Sequence, residues 1–246
     1  MTSKINQTAL AELAPFIHRI YNIPMQFTTI FIDLDGTLYS NDCGLWQAIR
    51  ERISAYMRER MGFSAEEEVH LRSFYLQTYG TTLRGLQIHH HVDPQEYLAF
   101  VHDIPLEKYL RRDRVLHDLL KSLPQSLWIF TNADSNHAWR VMKALGVQDC
   151  FTGIIDIWAL DFVCKPQPEA YHKALALAGK PDTQRCILLD DALRNLAPAR
   201  EIGFYTILVN KNGAEVGPTE SAAHQRINSL HELLQAKPGL RDRSAN

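Results

Sequence analysis

Cysteine is sparse: Cys43, Cys150, Cys164 and Cys186 are the only four in 246 residues, and no two form a C-x-x-C pair. That usage argues against a disulfide framework and fits reduced thiols. Long apolar runs are absent as well. No stretch reaches the ~18 residues that a membrane-spanning helix requires, and the opening MTSKINQTALAELAPF has no apolar signal-peptide core. The expected setting is cytoplasmic, without a membrane partner. Neither sign of charge dominates, because a formal net charge of −2 supplies no basic field for gripping a nucleic-acid polymer by its phosphates. Any phosphate handled should belong to a small molecule. There is no internal repeat and no low-complexity tract. With 46% hydrophobic and 22% charged residues, the chain suits one large globular domain or a domain carrying an insertion, as a monomer or homodimer.

What is present gathers at the ends of short apolar runs. In FIDLDGTLYS, residues 31–40, two carboxylates stand two positions apart where an apolar run breaks at Gly36. Phe27, Ile30, Phe31 and Ile32, with β-branched Thr28 and Thr29 between, predict a strand buried on both faces, as in parallel sheets. Asp33 falls at its carboxyl end, where open α/β sheets bind ligands. Strand side chains two apart point the same way, so Asp33 and Asp35 are expected to converge. Carboxylates that close repel unless a hard cation lies between them or one stays protonated. A solvated Asp-rich turn is the plain alternative.

The remaining text divides in two. Residues 44–103 are helical in pattern, with no strand signal between LWQAIRERISAYMRERMGF, SAEEEVHLRSFYLQTYG and DPQEYLAFVHDI. From about residue 112, helices alternate with short apolar strands such as LWIFTN, GIIDI, CILLDD and FYTILV. That alternation predicts an α/β fold, a doubly wound Rossmann-like parallel sheet with an inserted helical cap. The expected division is a catalytic core of residues 22–41 and 112–246, a cap of 42–111 and an appended N-terminal helix within 1–21. Leu10, Leu13, Ile17 and Ile20 carry that helix, which Pro15 would bend. The tail after Lys237 is polar enough to fray.

Three further strand ends carry polar groups. LWIFTNAD offers Thr131 and Asn132 ahead of a helix whose free N–H groups can hold an anion. CKPQPEAY presents Lys165 before Pro166, a combination suited to a helix start. CILLDD ends in Asp190 and Asp191. Each alone reads as a capping residue, a surface lysine or a solvated turn. Together they line one sheet edge with what phosphoryl transfer needs: a carboxylate nucleophile, a second acid, oxygen ligands for Mg²⁺ and donors for phosphoryl oxygens. On that reading Asp33 attacks phosphorus, and Asp35 protonates the departing ester oxygen and later takes a proton from water. Asp35 should then have its pKa raised relative to Asp33, which the metal and Lys165 keep ionised.

DLDGT, FTN, KP and LLDD, in this order and context, resemble the four motifs of the haloacid dehalogenase-like phosphatases. The cap text YGTTLRGL with HHHVDPQEY, together with FTNADSNHAWRVMKALGVQDCFTGI and CKPQPEAYHKAL, is similar to the pyrimidine 5′-nucleotidase group. The resemblance implies Mg²⁺, an aspartyl-phosphate intermediate and a small phosphorylated substrate, with a nucleoside monophosphate such as UMP or CMP preferred. It gives Asp33 the role of nucleophile, Asp35 that of general acid/base, Thr131 the phosphate-binding hydroxyl and Lys165 the steadying cation. Asp191 aligns with the metal-binding acid and Asp190 with its neighbour, acting on the metal directly or through a metal-bound water, while Asp33 and the backbone carbonyl of Asp35 complete the ligands. Ala192 and Asn195 depart from many relatives, which carry Ser and Asp there. A sugar-phosphate phosphatase or a phosphomutase uses the same motifs. Substrate choice is expected in residues 79–91, read as a substrate loop in which Arg84 and Gln87 contact the substrate beside Asn132. His89, His90 and His91 are adjacent and cannot all reach one ion. Cys164 has no evident base and reads as a small buried residue.

Overall fold

In a computed structural model of the protein, residues 27–210 and 222–233 are described. The helix expected within residues 8–21 and the tail after Lys237 lie outside them. Among the described residues six strands form one sheet: β1 (Thr29–Ile32), β2 (Ser126–Phe130), β3 (Gly153–Ile155), β4 (Cys186–Asp190), β5 (Tyr205–Val209) and β6 (Gln225–Ile227). Their order is β3-β2-β1-β4-β5-β6, and every pairing is parallel. β1 lies between β2 and β4, with Ile32 opposite Ile129 on one side and Leu189 on the other. The chain order reverses around this central strand. That is the switch point at which doubly wound sheets open a crevice beyond their carboxyl ends.

The alternation of strand side chains explains the two layers. Ile30 and Ile32 of β1, with Ile187 and Leu189 of β4, face one apolar cluster. It is completed by Leu116, Leu119 and Leu120 of α5 (Arg114–Ser122) and by Ala138, Val141 and Met142 of α6 (Ser135–Leu145). Phe31 and Leu188 face the opposite cluster, with Ala170, Tyr171 and Ala174 of α7 (Pro168–Leu177) and Leu193, Leu196 and Ala199 of α8 (Leu193–Glu201). All four residues of β1 are buried, which is why its sequence is continuously apolar or β-branched rather than alternating. β6 carries only the polar-looking QRI, so no apolar run announces this edge strand.

Between β1 and β2 the described chain is helical: α1 (Leu45–Ala55) running into a π-helical turn at Tyr56–Arg60, α2 (Ala65–Tyr79), α3 (Thr82–His90) and α4 (Pro94–Val101). α2 begins with a capping box, in which the Ser64 hydroxyl accepts from Glu67 N and the Glu67 carboxylate accepts from Ser64 N. Tyr56, Met57, Tyr75, Leu83, Leu86, Tyr97 and Leu98 give this insert its own apolar cluster, which also takes in Ile157 and Cys164 from the sheet layer. Residues 79–91, expected as a substrate loop, are largely helix. Thr81 caps Arg84 N through its side chain, and His91 closes the helix in a left-handed conformation, so the polar text between them is a helix surface.

Candidate active site

Strand β1 stops at Ile32, before the first acid. Asp33 N still donates to Leu189 O at 2.9 Å, but Leu34–Leu38 then turn, with Leu38 N donating to Leu34 O at 3.0 Å. Asp33 and Asp35 are therefore not adjacent rungs of a pleat. The turn sends their carboxylates to different partners. Gly36, at φ 95°, completes it, and a Cβ there would collide with the Asp191 carboxylate and the Asn41 amide. Only glycine takes that conformation in so tight a place.

Asp33 belongs to a lysine-centred cluster. Lys165 Nζ, 1% exposed, donates to Asp33 Oδ1 at 2.8 Å, Asp190 Oδ2 at 2.7 Å and Phe130 O at 2.8 Å. All three of its donors are used, so the buried ammonium is satisfied in the way burial demands. The Lys165–Pro166 peptide is cis, and α7 begins two residues later at Pro168, so Lys165 lies in the approach to that helix rather than at its first turn. Asn132, expected at the substrate, instead closes on the backbone of Lys165: its Oδ1 accepts from Lys165 N and its Nδ2 donates to Lys165 O, both at 2.9 Å. Asp190, fully buried, also accepts from Ala192 N and from Asn195 Nδ2. Asn195, a departure from an acid, thus holds an acid in place. Asp191 accepts from Asn41 Nδ2 at 3.1 Å.

Carboxylate oxygens of Asp33, Asp190 and Asp191 lie within 4.8 Å of one another. One lysine cannot neutralise three acids. Burial pushes Asp33 well above its ordinary pKa despite Lys165, and the charges of Asp190 and Asp191 add to the rise. Burial and the Asp190 charge push Asp191 up to about 7. Lys165 moves up too, because Asp190 and Asp33 outweigh the effect of burial. Convergent hard oxygens with excess negative charge, in a cradle that a Cβ at Gly36 would fill, fit a divalent cation such as Mg²⁺.

Asp35 stands apart from these three acids. Its Oδ1 accepts from Tyr39 Oη at 2.5 Å and is 2.9 Å from His137 Nε2. Burial pushes its pKa up, but the charge and hydrogen bond of His137 and the Tyr39 hydroxyl outweigh it, and the net shift is downward. The protein groups by themselves thus push Asp33 up and Asp35 down. Asp33 is the one raised, because its single cation is shared, while Asp35 has two donors to itself. His137 stacks on His102 with ring centroids 4.1 Å apart, and His102 Nδ1 pairs with Asp134 Oδ2 at 2.7 Å. Burial and then the His137 charge push His102 down. Asp134 caps α6 by accepting from His137 N at 2.8 Å.

Thr131 is buried, and its Oγ1 accepts from Ala133 N at 3.0 Å. Arg84 and Gln87 are carried on α3; the Arg84 guanidinium makes no hydrogen bond or ion pair with a described residue, and Gln87 Oε1 is buried without a partner among them. His89 and His90 diverge to the hydroxyls of Tyr79 and Tyr75. Tyr39, Asn41, His102, Asp134 and His137 were not singled out from sequence. Only Asp134, at the boundary of a helix and three residues before His137, carried a local capping signal.

The fold and this arrangement define a hydrolase of one family: the chain matches the haloacid dehalogenase-like hydrolase model over residues 27–203 and belongs to that family. Phosphate metabolism protein 8 of Saccharomyces cerevisiae is 31% identical over 188 residues, a match covering 71% of this chain and 59% of that one. The chain thus spans a little over half the length of that relative. Among solved structures, an HAD phosphatase from Thermococcus onnurineus shares the fold at TM-score 0.58 and 18% identity, covering 85% of this chain and 96% of that one. The L-2-haloacid dehalogenase of Xanthobacter autotrophicus, solved with chloropropionic acid covalently bound, does so at 0.52 and 15%, covering 85% and 97%. A phosphatase and a dehalogenase on one fold leave the reaction to be argued from side chains. No helix among the described residues is long and apolar enough to cross a membrane.

Proposed function

We propose that this hydrolase is a phosphatase, cleaving small phosphate monoesters through an aspartyl-phosphate on Asp33. The observation that carries the reading is the division of labour around two acids: Asp33 shares Lys165 with Asp190 beside Asp191, while Asp35 is held separately by Tyr39 and His137. Lys165 occupies Asp33 Oδ1, so Oδ2 attacks phosphorus. As the Asp33–phosphorus bond forms and the bond to the ester oxygen breaks, Asp35 gives that oxygen its proton. The carboxylate of Asp35 then takes a proton from the water that cleaves the acyl phosphate, releasing inorganic phosphate and Asp33. Thr131 Oγ1 already accepts from Ala133 N, which leaves its hydroxyl proton for a phosphoryl oxygen. Mg²⁺ held by Asp33, Asp191 and the Asp35 carbonyl would neutralise charge on the transferring group. Asp190, committed to Lys165, Asn195 and Ala192, serves as the support beneath.

The helical segment 42–111 is the cap in this reading, and Arg84 and Gln87 are the side chains it offers to the substrate beyond the phosphate. That neither the Arg84 guanidinium nor Gln87 Oε1 is hydrogen-bonded to a described residue supports this, because such a donor and acceptor can discriminate among polar substrates. The finer proposal is a pyrimidine nucleoside monophosphate, UMP or CMP, as the preferred ester.

Phosphate release with Mg²⁺ from an aryl phosphate tests the reaction. Asp33→Asn should lower kcat by several orders of magnitude by removing the covalent route, and turnover that survives the change would end the proposal. A panel of nucleoside monophosphates against sugar phosphates, compared by kcat/KM, tests the substrate. A profile led by a sugar phosphate removes the nucleotidase reading and leaves the phosphatase.

A further inference from the structure

We infer that His137, which none of the four strand-end motifs includes, is a positioning residue that fixes which oxygen of Asp35 faces the reaction. The inference rests on the phosphatase reading above and deepens it. The Asp35 carboxylate has two oxygens with unequal surroundings. Oδ1 takes both the Tyr39 hydroxyl and His137 Nε2, and Oδ2 has no hydrogen bond from a described residue. A carboxyl oxygen already accepting two donors is a poor seat for a third proton, so the proton delivered to the leaving group sits on Oδ2.

The tautomer of His137 follows from its surroundings. Its side chain is 0% exposed, and Nδ1 is buried without a partner among the described residues. A proton on Nδ1 would be an unsatisfied buried donor, which is costlier than an unused lone pair in the same place. Nε2 therefore carries a hydrogen directed at Asp35, in the neutral ring as in the charged one. Free rotation of the ring about this contact is blocked on one face by His102, stacked at 4.1 Å and 12°. His102 follows α4, on the segment returning from the helical insert, and Asp134 holds its Nδ1. Arg140, one turn along α6 from His137, donates to the carbonyls of His102 and Ile104, both at 2.6 Å. The donors on Asp35 thus come from both sides of the insert: Tyr39 before it, and His137 braced by the segment after it.

Two substitutions separate a donor from a packing ring. His137→Phe keeps an aromatic face for His102 but removes the N–H, whereas His137→Gln gives up the stack but can present an N–H from a similar reach. With Mg²⁺, His137→Phe should lower kcat for an alkyl phosphate by about 10- to 100-fold, part of the 10²–10⁴ that a general acid supplies. KM should stay near its original value, and an aryl phosphate with a good leaving group should be far less affected. His137→Gln should recover most of the alkyl rate. Tyr39→Phe removes the other donor to Oδ1 without touching the stack and should show the same selective loss; it decides the matter if His137→Phe does not fold by circular dichroism. Equal losses on both esters in these variants, or Phe tolerated better than Gln, would overturn the positioning role while leaving the phosphatase standing. An unmodified protein that turns over neither ester overturns the phosphatase reading and this one together.

Discussion

Lys165 shows how much one side chain carries. It is a fully buried cation whose three donors are all spent, two of them on acids. Removing it would leave Asp33 and Asp190 buried without their counterion, and loss of one partner from a buried pair typically costs about 3–5 kcal/mol. Lys165→Ala should therefore lower the urea midpoint as well as abolish phosphate release. Retained stability with lost activity would show that the acids simply take up protons instead. Lys165→Arg is not a conservative rescue, because a planar fork cannot direct donors to Asp33, Asp190 and Phe130 O from one point. His137 makes a different point at this scale. Nothing in SNHAWR distinguishes it from a surface histidine on a helix, and it becomes significant only because the turn after β1 brings Asp35 within 2.9 Å of it.

At the scale of elements, the junction between α2 and α3 decides how the insert meets the sheet layer. Gly80 lies there at φ 85°, and a Cβ would stand 2.5 Å from Lys165 O. Thr81, the cap of α3, has its Oγ1 3.5 Å from Cys164 Sγ, and Arg194 of α8 donates to Leu76 O of α2. Gly80→Ala should cost roughly 1–3 kcal/mol from the left-handed backbone alone and displace the loop that carries Lys165. Both thermal unfolding and kcat should fall, in contrast to Gly62→Ala, where nothing lies within 4 Å and only the backbone strain at φ 77° applies. A Gly80→Ala enzyme with unchanged kcat would mean that the Lys165 loop yields without consequence. Residues 79–91 hold two glycines, two threonines and three histidines, a loop-like composition, yet Thr81 and His91 occupy cap positions at which such residues bound a helix.

Over the whole molecule, the acid cluster makes stability depend on pH and on metal together. Asp191 is raised from 3.8 to about 7, so the metal-free native state binds a proton there that the unfolded chain has released. Its contribution to stability is full below about pH 3.8 and is lost as pH rises through about 7. A divalent cation binds the ionised carboxylates and competes with that proton. Adding Mg²⁺ should therefore raise Tm more at pH 7.5 than at pH 5, read by a thermal melt at fixed ionic strength. An equal shift at both pH values would place the bound cation elsewhere than at Asp33 and Asp191.

The sequence by itself determined the central strands β1, β2 and β4 and the polar residues that follow them, since Ile30 to Ile32 and Cys186 to Leu189, with Leu127, Ile129 and Phe130, are buried and had to be apolar. Asp33, Asp190 and Asp191 were legible because each closes such a run with a group too polar to be buried unpaired, and Lys165 through its place before Pro166 at a helix start. Tertiary structure alone decided the rest. That Asp35 turns from Asp33 toward His137, that Asn132 serves the Lys165 backbone, and that His102 braces His137 are contacts between residues 33 to 102 positions apart. Local pattern is blind to such pairings: periodicity and capping report only neighbours within a turn or two, whereas these partners meet because parallel strands far apart in sequence end at one edge.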